Sequence, residues 1–300
     1  MSFSSDIKKE LCDVKNIGAG EKSAMLYGML FAGRTSDGRA VVQTENADLV
    51  AAARTLSEEI FPAAKHETTR LVRNGGSLYT FSIKSGAERV SERFGDLSVI
   101  NPAVVSGNDE ESGAFLRGVF VSCGSVTDPN KEYHLEIVMP DNSRAEQLYG
   151  FICEHGMPFK LTQRRGSNVI YAKESELIED FLTYIGAALR SLEIMQIKIE
   201  KDFRNRANRT VNCDNANLDK TVAASEKSCR DIELIISTMG ADKLSSDLRE
   251  TALLRLDNRE SSLSELCRLF EKPISRSGLN HRLKKLSAIA DSIRGEGENR

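Results

Sequence analysis

The 300-residue sequence predicts an α+β N-terminal domain of two pseudo-symmetric copies, followed by an all-α domain of the helix-turn-helix type. An imperfect repeat relates residues 23–34 to residues 113–126 at an offset of 90, and strand-like runs occur only before Gly186. The remainder reads as helices, the last of which is basic. The predicted boundaries are an N-terminal extension 1–19, the two-copy domain 20–186 with copies at about 20–97 and 112–186, a basic linker helix 187–214, the helix-turn-helix domain 215–294 and a disordered tail 295–300.

Each copy predicts the order helix–strand–helix–hairpin–helix. After the first repeat, "RAVVQTE" reads as a strand and is followed by a helix around 46–60 and a hairpin that turns at Asn74-Gly75-Gly76. After the second repeat, "EYHLEIVM" is followed by a helix around 142–155 and a hairpin that turns at Gly166-Ser167. Residues 98–113 are rich in Pro, Gly, Asn and acids, which is typical of a linker.

The two repeats share one frame. "SAMLYGMLFAGR" and "GAFLRGVFVSCGSV" align at Leu26 with Leu116 and at Gly28 with Gly118. This frame resembles the LAGLIDADG homing endonucleases, in which two such helices pack through small residues and each places a metal-binding acid just before the last glycine.

The positions of those acids hold Gly33 and Cys123 here. Glycine offers no side-chain ligand, and a thiol is soft and largely protonated at pH 7, so neither replaces a carboxylate on Mg²⁺. The nearest acids, Asp37 and Asp128, could form a displaced site, but "TSDGR" and "TDPNK" are typical turn sequences. We therefore expect no catalysis and no metal or other cofactor.

Composition argues against zinc proteins, disulfide-stabilised proteins and membrane proteins. None of the six cysteines forms a CxxC pair and the four histidines are scattered, so we expect reduced, buried thiols rather than a zinc or disulfide framework. No apolar run approaches the roughly 18–20 residues of a membrane span, and the N-terminus has no signal core, which predicts a cytoplasmic protein without a membrane partner. The net charge of −3 does not mark the chain as basic, so local charge matters more.

The C-terminal third predicts helices over 187–209, 216–240, 245–260, 262–271 and 276–294. Ser262 and Glu265 form the spacing of a capping box, and residues 272–275 form a turn. The last helix carries one apolar stripe, made of Leu279, Leu283, Leu286, Ala290 and Ile293. A short helix, a brief turn and a second helix with a basic face is the outline of a helix-turn-helix.

Residues 272–285 contain five Lys or Arg and no Asp or Glu. Arginine pairs with guanine and asparagine with adenine in the major groove, while lysines and hydroxyls hold phosphates. The candidate DNA-binding residues of this segment are Ser275, Arg276, Ser277, Asn280, His281, Arg282, Lys284 and Lys285. The alternative is a helical bundle whose polar face is merely solvated. A second set, Arg204, Arg206 and Arg209, could track a phosphate backbone or belong to a solvated inter-domain helix.

Four long stretches resemble one family over nearly the whole chain. They are "MSFSSDIKKEL", "FLRGVFVSCGSVTDPNKEYHLEIV", "RNRANRTVNCDNANLDKT" and "SLSELCRLFEKPISRSGLNHRLKKL", and they resemble the WhiA family of Gram-positive bacteria. The resemblance implies a degenerate LAGLIDADG domain tethered to a promoter-reading helix-turn-helix domain, with the turn at 272–275 and the helix from Arg276 as the reader. The first copy lacks the final glycine of the pattern and is the weaker half.

The resemblance also implies a function and partners. It implies a transcriptional regulator of cell division, chromosome segregation or sporulation that is nucleoid-associated and binds double-stranded promoter DNA. RNA polymerase or a WhiB-type iron–sulfur protein would be further partners. Two alternatives stay open: a metal-dependent LAGLIDADG endonuclease, and a non-catalytic scaffold whose N-terminal domain binds a protein or ligand.

Overall fold

The computed structural model describes residues 2–36, 39–73, 76–85, 87–105 and 107–298. The chain divides into two compact units, Met1–Lys201 and Asp202–Arg300, which we call the N-terminal and C-terminal units. The first mixes helices and strands and the second is helical, as the sequence predicts. The predicted turn residues Asn74 and Gly75, and Asp37, lie outside the described residues.

The N-terminal unit contains the same succession of elements twice. A first helix, α1 (Phe3–Leu11), precedes both, and a short helix, α5 (Pro102–Val105), lies between them. The first copy consists of α2 (Ala19–Ala32), β1 (Arg34–Ser36), β2 (Arg39–Thr44), α3 (Ala47–Ile60), β3 (Lys65–Arg73), β4 (Gly76–Ser85) and α4 (Ala87–Phe94). The second consists of α6 (Asp109–Cys123), β5 (Gly124–Val126), β6 (Leu135–Met139), α7 (Asn142–Glu154), β7 (Lys160–Arg164), β8 (Ser167–Ala172) and α8 (Ser175–Tyr184).

The two sheets have matching topology. Each has four antiparallel strands, in the orders β1-β2-β4-β3 and β5-β6-β8-β7. The short strands β1 and β5 continue directly from the repeat helices, and neither was predicted because three residues are too few to show alternation. The second repeat helix also starts earlier than predicted, since Asn108 caps it by accepting a hydrogen bond from the Glu111 N–H at 2.7 Å.

The helices α2 and α6 form the centre of the unit. Both are apolar around their whole circumference, so they are buried on every side rather than on one stripe. Gly28 and Gly118 allow this contact: an added Cβ would lie 2.1 Å from the carbonyl oxygen of Phe115 in the first case, and 2.1 Å from that of Met25 in the second. The two helices therefore cross backbone against backbone.

The predicted N-terminal extension is not a loose segment. Ile7 and Leu11 of α1 are fully buried in the core of the N-terminal unit. The guanidinium of Arg117 donates hydrogen bonds to the carbonyl oxygens of Leu11 and Asp13 at 2.7 and 2.8 Å, which satisfies the end of α1. The extension is therefore part of the two-copy domain.

A single helix, α9 (Ala188–Met239), replaces the two helices predicted over 187–209 and 216–240. The predicted break fell on residues such as Asn212, Asp214 and Asn215, whose intrinsic helix propensity is low. The helix nevertheless continues through them, so the predicted break between the two helices is wrong.

The C-terminal unit contains the later part of α9, a 3₁₀ turn (Ala241–Lys243), α10 (Ser246–Asp257), α11 (Leu263–Leu266) and α12 (Arg276–Glu298). The predicted apolar stripe of α12 is confirmed, since Leu279, Leu286 and Ala290 are almost fully buried. The capping box of α11 is confirmed as well, with both reciprocal hydrogen bonds between Ser262 and Glu265 present.

Two predicted boundaries in this unit change. The helix α11 has a single turn rather than the ten residues predicted, because the chain leaves it at Cys267 and buries Phe270. The connection to α12 is correspondingly longer than the four residues of "KPIS". The last helix runs to Glu298 and so extends beyond the predicted end at residue 294, while Asn299 and Arg300 lie outside the described residues.

All six cysteines are free thiols. Cys229 and Cys267 are buried as predicted, whereas Cys213 is exposed on α9 and the other three are intermediate.

Candidate nucleic-acid interface

The position of a LAGLIDADG metal site carries no carboxylate in either copy. Gly33 and Cys123 end the two repeat helices beside a cavity of about 280 Å³. None of the described residues that line this cavity is Asp or Glu. A Cβ at Gly33 would lie 2.8 Å from the carbonyl oxygen of Val41, so the first copy has no room for a carboxylate side chain there.

A guanidinium lies where the first copy would need its acid. Arg144, from α7 of the second copy, donates hydrogen bonds through Nη1 to the carbonyl oxygens of Phe31 and Gly33 at 2.6 and 2.8 Å. Its Nε contacts Asp141 at 2.6 Å. Burial opposes ionisation of Asp141, but the hydrogen bonds from Arg144 outweigh it and lower the pKa of this carboxyl. The carbonyl groups at the end of α2 are therefore already bound by a guanidinium, and the neighbouring carboxylate is engaged with that guanidinium rather than free for a divalent cation.

The second copy ends in an unreactive thiol. Cys123 donates a hydrogen bond to the carbonyl oxygen of Val119 at 3.3 Å, and burial raises its pKa to about 12. A protonated thiol is not a ligand for Mg²⁺. The ammonium of Lys8 is close enough to Cys123 to favour its thiolate, but burial has the larger effect on the thiol and also lowers the pKa of Lys8.

The displaced acid Asp128 has a local role. Its carboxylate accepts a hydrogen bond from the Asn130 N–H at 2.9 Å, which lowers its pKa. This is the turn that "TDPNK" predicts. No group of three or more His, Cys, Asp or Glu side chains suitable for a metal ion occurs within the described ranges.

The C-terminal unit presents a different surface. One side of α12 carries six exposed polar or basic residues at helical spacing. They are Arg276, Ser277, Asn280, His281, Lys284 and Lys285. The opposite side packs through Leu279 and Leu286. None of the six forms an ion pair with another residue that the structure describes. Cations and amides that are not engaged within the protein remain available to phosphates and base edges.

Two predicted DNA-binding residues have structural contacts as well. The hydroxyl of Ser275 accepts a hydrogen bond from the Gly278 N–H at 3.1 Å and so caps α12. Arg282 lies on the flank of the helix and is directed at α10, where it contacts carboxylate oxygens of Asp247 at 3.3 Å and Glu250 at 3.7 Å. Its guanidinium also lies over the Phe270 ring. The side chain of Arg282 therefore does not belong to the exposed side of α12.

The three arginines of the second predicted DNA-binding set do not share one face of α9. Arg204, Arg206 and Arg209 are exposed on α9. Residues two apart on a helix do not share a face, so Arg206 and Arg209 form one pair while Arg204 lies on another side. The neighbouring lysines are anchored within the N-terminal unit: Lys198 contacts Glu176 at 2.9 Å, and Lys201 donates a hydrogen bond to the carbonyl oxygen of Pro129 at 2.5 Å.

Two arginines that lie beside the cavities of the two units were not predicted from the sequence. Arg144 reaches the end of a helix more than a hundred residues earlier in the chain. Arg255, on α10, is buried beside α9 and α12. Neither belongs to a local pattern, so no sequence signal marks them.

Comparisons with known proteins agree with this architecture. A family model described as the WhiA LAGLIDADG-like domain matches residues 112–204, and one described as the WhiA C-terminal HTH domain matches residues 207–290. The "Probable cell division protein WhiA" of Clostridium acetobutylicum is 35% identical, and the match covers 99% of this chain and 100% of that protein.

Solved structures show the same fold. Full-length DUF199/WhiA from Thermotoga maritima matches with a TM-score of 0.61 and 27% identity over 97% of this chain and 99% of that one. The N-terminal LAGLIDADG domain of DUF199/WhiA matches with a TM-score of 0.50 and 22% identity over 62% of this chain and 92% of that one. The predicted fold class is therefore confirmed.

Within the described residues, no helix is both long enough and apolar enough to span a membrane. The extent of the sequence match, together with the two-copy unit and the helix-turn-helix unit, identifies the family: the chain belongs to the WhiA family, with a LAGLIDADG-like N-terminal domain and a C-terminal HTH domain.

Proposed function

We propose that this protein is a sequence-specific DNA-binding transcriptional regulator in which α12 reads the major groove of promoter DNA. The observation that carries the proposal is the side of α12 formed by Arg276, Ser277, Asn280, His281, Lys284 and Lys285, exposed and without ion pairs among the described residues. Arg276 and Asn280 lie one turn apart near the start of the helix, and the first turns of a recognition helix meet base edges.

The roles divide by chemistry. Arginine and asparagine each offer a bidentate contact, to guanine and adenine respectively, so Arg276 and Asn280 specify bases. Lys284, Lys285 and the hydroxyl of Ser277 hold phosphates, which positions the helix without reading sequence. Ser275 and Arg282 support the reader by capping α12 and by holding it to α10.

Cell division is the proposed process, because relatives that match over almost the full chain carry the name "Probable cell division protein WhiA". Promoters are the proposed sites, with RNA polymerase or a WhiB-type protein as further partners. Chromosome segregation and sporulation belong to the same proposal, as does association with the nucleoid in the cytoplasm.

Absence of nuclease activity is also part of the proposal. Its support is the guanidinium of Arg144 at the end of α2 and the protonated thiol of Cys123 at the end of α6. Mg²⁺-dependent cleavage needs hard oxygen ligands at both positions. Incubation of supercoiled plasmid and bound duplex with the protein and Mg²⁺ or Mn²⁺ should leave the DNA uncut. Metal-dependent nicks that co-purify with the protein would support the endonuclease alternative.

The test of DNA binding uses the full chain. Duplexes enriched from a random pool by the wild-type protein are titrated with wild type, Arg276→Ala/Asn280→Ala and Arg230→Ala. The double substitution should weaken binding by about 5- to 150-fold for each of the two side chains that is removed, which corresponds to ~1–3 kcal/mol. Arg230→Ala removes an exposed arginine of α9 and serves as the control. Equal affinity of all three proteins would contradict the proposal.

A further inference from the structure

A second concave site lies within the C-terminal unit. It is a cleft of about 400 Å³ between the later part of α9, the start of α11 and α12. Four cations line it, Lys220 and Lys227 from α9 and Arg276 and Lys284 from α12. None of the four forms an ion pair with any residue in the described part of the chain. The cleft therefore gathers positive charge that the protein does not neutralise.

A fifth cation, Arg255, is buried in the wall of this cleft, with only 2% of its surface exposed. Its Nη1 donates hydrogen bonds to three neutral oxygens, Ser225 Oγ at 3.1 Å and the carbonyls of Asn258 and Ser261 at 3.3 and 2.7 Å. Its Nε has no hydrogen-bond partner among the described residues. Buried charges in proteins are normally paired, because an isolated charge is costly to remove from water.

The one acid among the described lining residues, Asp231, does not neutralise the positive charge of the cleft. Asp231 is 1% exposed, and both of its oxygens are engaged, one with Ser287 Oγ at 2.7 Å and the other with Arg294 Nη2 at 2.5 Å. The remaining polar lining includes the amide of Asn280 and the hydroxyl groups of Thr221, Ser228, Ser262 and Ser264. The hydroxyls of Thr221 and Ser228 donate hydrogen bonds to the carbonyl oxygens of Asn217 and Ala224. Several cations, an amide group and no unpaired carboxylate are a suitable set of partners for a phosphate group.

We propose that this cleft binds a phosphate group. The group comes either from a free phosphorylated molecule, for which the volume lies within the range of small-ligand sites, or from the backbone of the DNA strand beside α12. The second source rests on the proposed function, whereas the first does not. Arg276, Asn280 and Lys284 belong both to the cleft wall and to the exposed side of α12, so occupancy of the cleft bears directly on base reading.

The free-ligand arm measures thermal unfolding of the full chain in sodium phosphate and in sodium chloride of matched pH and ionic strength. Wild type is compared with Lys220→Ala/Lys227→Ala and with Lys131→Ala/Lys243→Ala, which removes two exposed lysines outside the cleft. Phosphate at about ten times its Kd should raise the Tm of the C-terminal transition by on the order of 5 °C. The cleft variant should lose this shift and the control variant should keep it.

The DNA arm measures the salt dependence of binding to an enriched duplex. Loss of both cleft lysines should reduce the slope of log K against log salt by up to about 1.8, since each phosphate contact contributes roughly 0.9.

A phosphate-specific shift that the cleft variant loses supports the free molecule, and a reduced slope without that shift supports the DNA strand. Arg255→Met replaces the buried charge by an apolar side chain and should abolish whichever effect the wild type shows. If neither effect depends on the cleft lysines, the proposal is overturned. If the protein binds no DNA, the proposed function fails, and the thermal shift in phosphate alone decides whether the cleft binds a phosphate group.

Discussion

Gly28 and Gly118 occupy equivalent positions in the crossing of α2 and α6. A Cβ added to Gly28 would meet the carbonyl oxygen of Phe115, and one added to Gly118 would meet the carbonyl oxygen of Met25. Because both pairs differ by the repeat offset of 90 residues, the crossing obeys the pseudo-two-fold symmetry that the sequence repeat predicts.

The crossing predicts that Gly118→Ala destabilises the N-terminal unit. The new methyl carbon would meet the Met25 carbonyl oxygen at 2.1 Å, and a packed backbone cannot yield as a flexible side chain does. The expected loss is about 1–3 kcal/mol in the free energy of unfolding, as for other overpacked cores. Thermal and urea unfolding followed by circular dichroism would measure it.

The matched control is Gly150→Ala on α7, where an added Cβ meets nothing within 4 Å. Alanine is the better helix former by up to about 1 kcal/mol, so this variant should be neutral or more stable. Equal stability of Gly118→Ala and wild type would show that the two helices do not cross at this glycine.

Much of the architecture could be predicted because it is encoded locally or by repetition. The offset between Gly28 and Gly118, the capping box of Ser262 and Glu265 and the apolar stripe of α12 each follow from residues close in sequence or from a repeated frame. The structure agrees with all three.

The structure departs from the sequence predictions, or adds to them, where contacts between distant residues decide the outcome. The continuity of α9 through Asn212 and Asp214 goes against local propensity, and the early end of α11 follows from the burial of Phe270. The role of Arg144 depends on carbonyl groups near the end of α2, which lie more than a hundred residues away in sequence. The orientation of Arg282 towards α10 is likewise invisible to the helical spacing that placed it near the basic face.

Arg282→Ala should lower stability rather than DNA recognition. The side chain joins α12 to α10 through Asp247 and Glu250 and lies over Phe270, so its loss should cost about 1 kcal/mol in unfolding of the C-terminal unit. Below the melting transition, affinity for an enriched duplex should stay within about threefold of wild type, because the side chain is already engaged with α10 and the Phe270 ring.

Arg276→Ala is the comparison for that variant and should behave in the opposite way, with unchanged Tm and weaker binding. A larger loss of affinity for Arg282→Ala than for Arg276→Ala, at equal folded fraction, would place Arg282 in the interface.

Arg206→Ala/Arg209→Ala should weaken DNA binding equally for all sequences. The two arginines share one side of α9, so both can meet one phosphate backbone, and their loss should reduce the salt slope by about 1.8. Titrations at several salt concentrations would measure it. Arg204→Ala, on another side of the same helix, is the control and should leave the slope unchanged. If all variants show the wild-type slope, this part of α9 is a solvated helix.

The capping box predicts a pH dependence. Hydrogen bonds from the backbone N–H and the hydroxyl of Ser262 lower the pKa of Glu265 below its ordinary value of 4.5. A carboxyl with a lowered folded-state pKa contributes stability above its unfolded pKa and loses it as pH falls through the folded value. Glu265→Ala should therefore lower the Tm of the C-terminal unit at neutral pH, and the difference from wild type should shrink below pH 4.5.

Glu271→Ala, which removes an exposed acid outside the capping box, is the control and should show no such convergence. A difference between Glu265→Ala and wild type that stays constant from neutral to acidic pH would indicate that the charge of Glu265 does not stabilise the cap.

The most direct test of the central claim is the base preference of α12. In vitro selection from a random duplex pool is carried out with the wild-type chain, with Asn280→Ala and with Asn212→Ala as an exposed asparagine on α9. Wild type and the control should enrich one shared motif, and Asn280→Ala should enrich the same motif without a preference at one of its base pairs, since asparagine pairs with adenine. Enrichment of the unaltered motif by Asn280→Ala, or no enrichment by the wild type, would contradict the assignment of α12 as the reader.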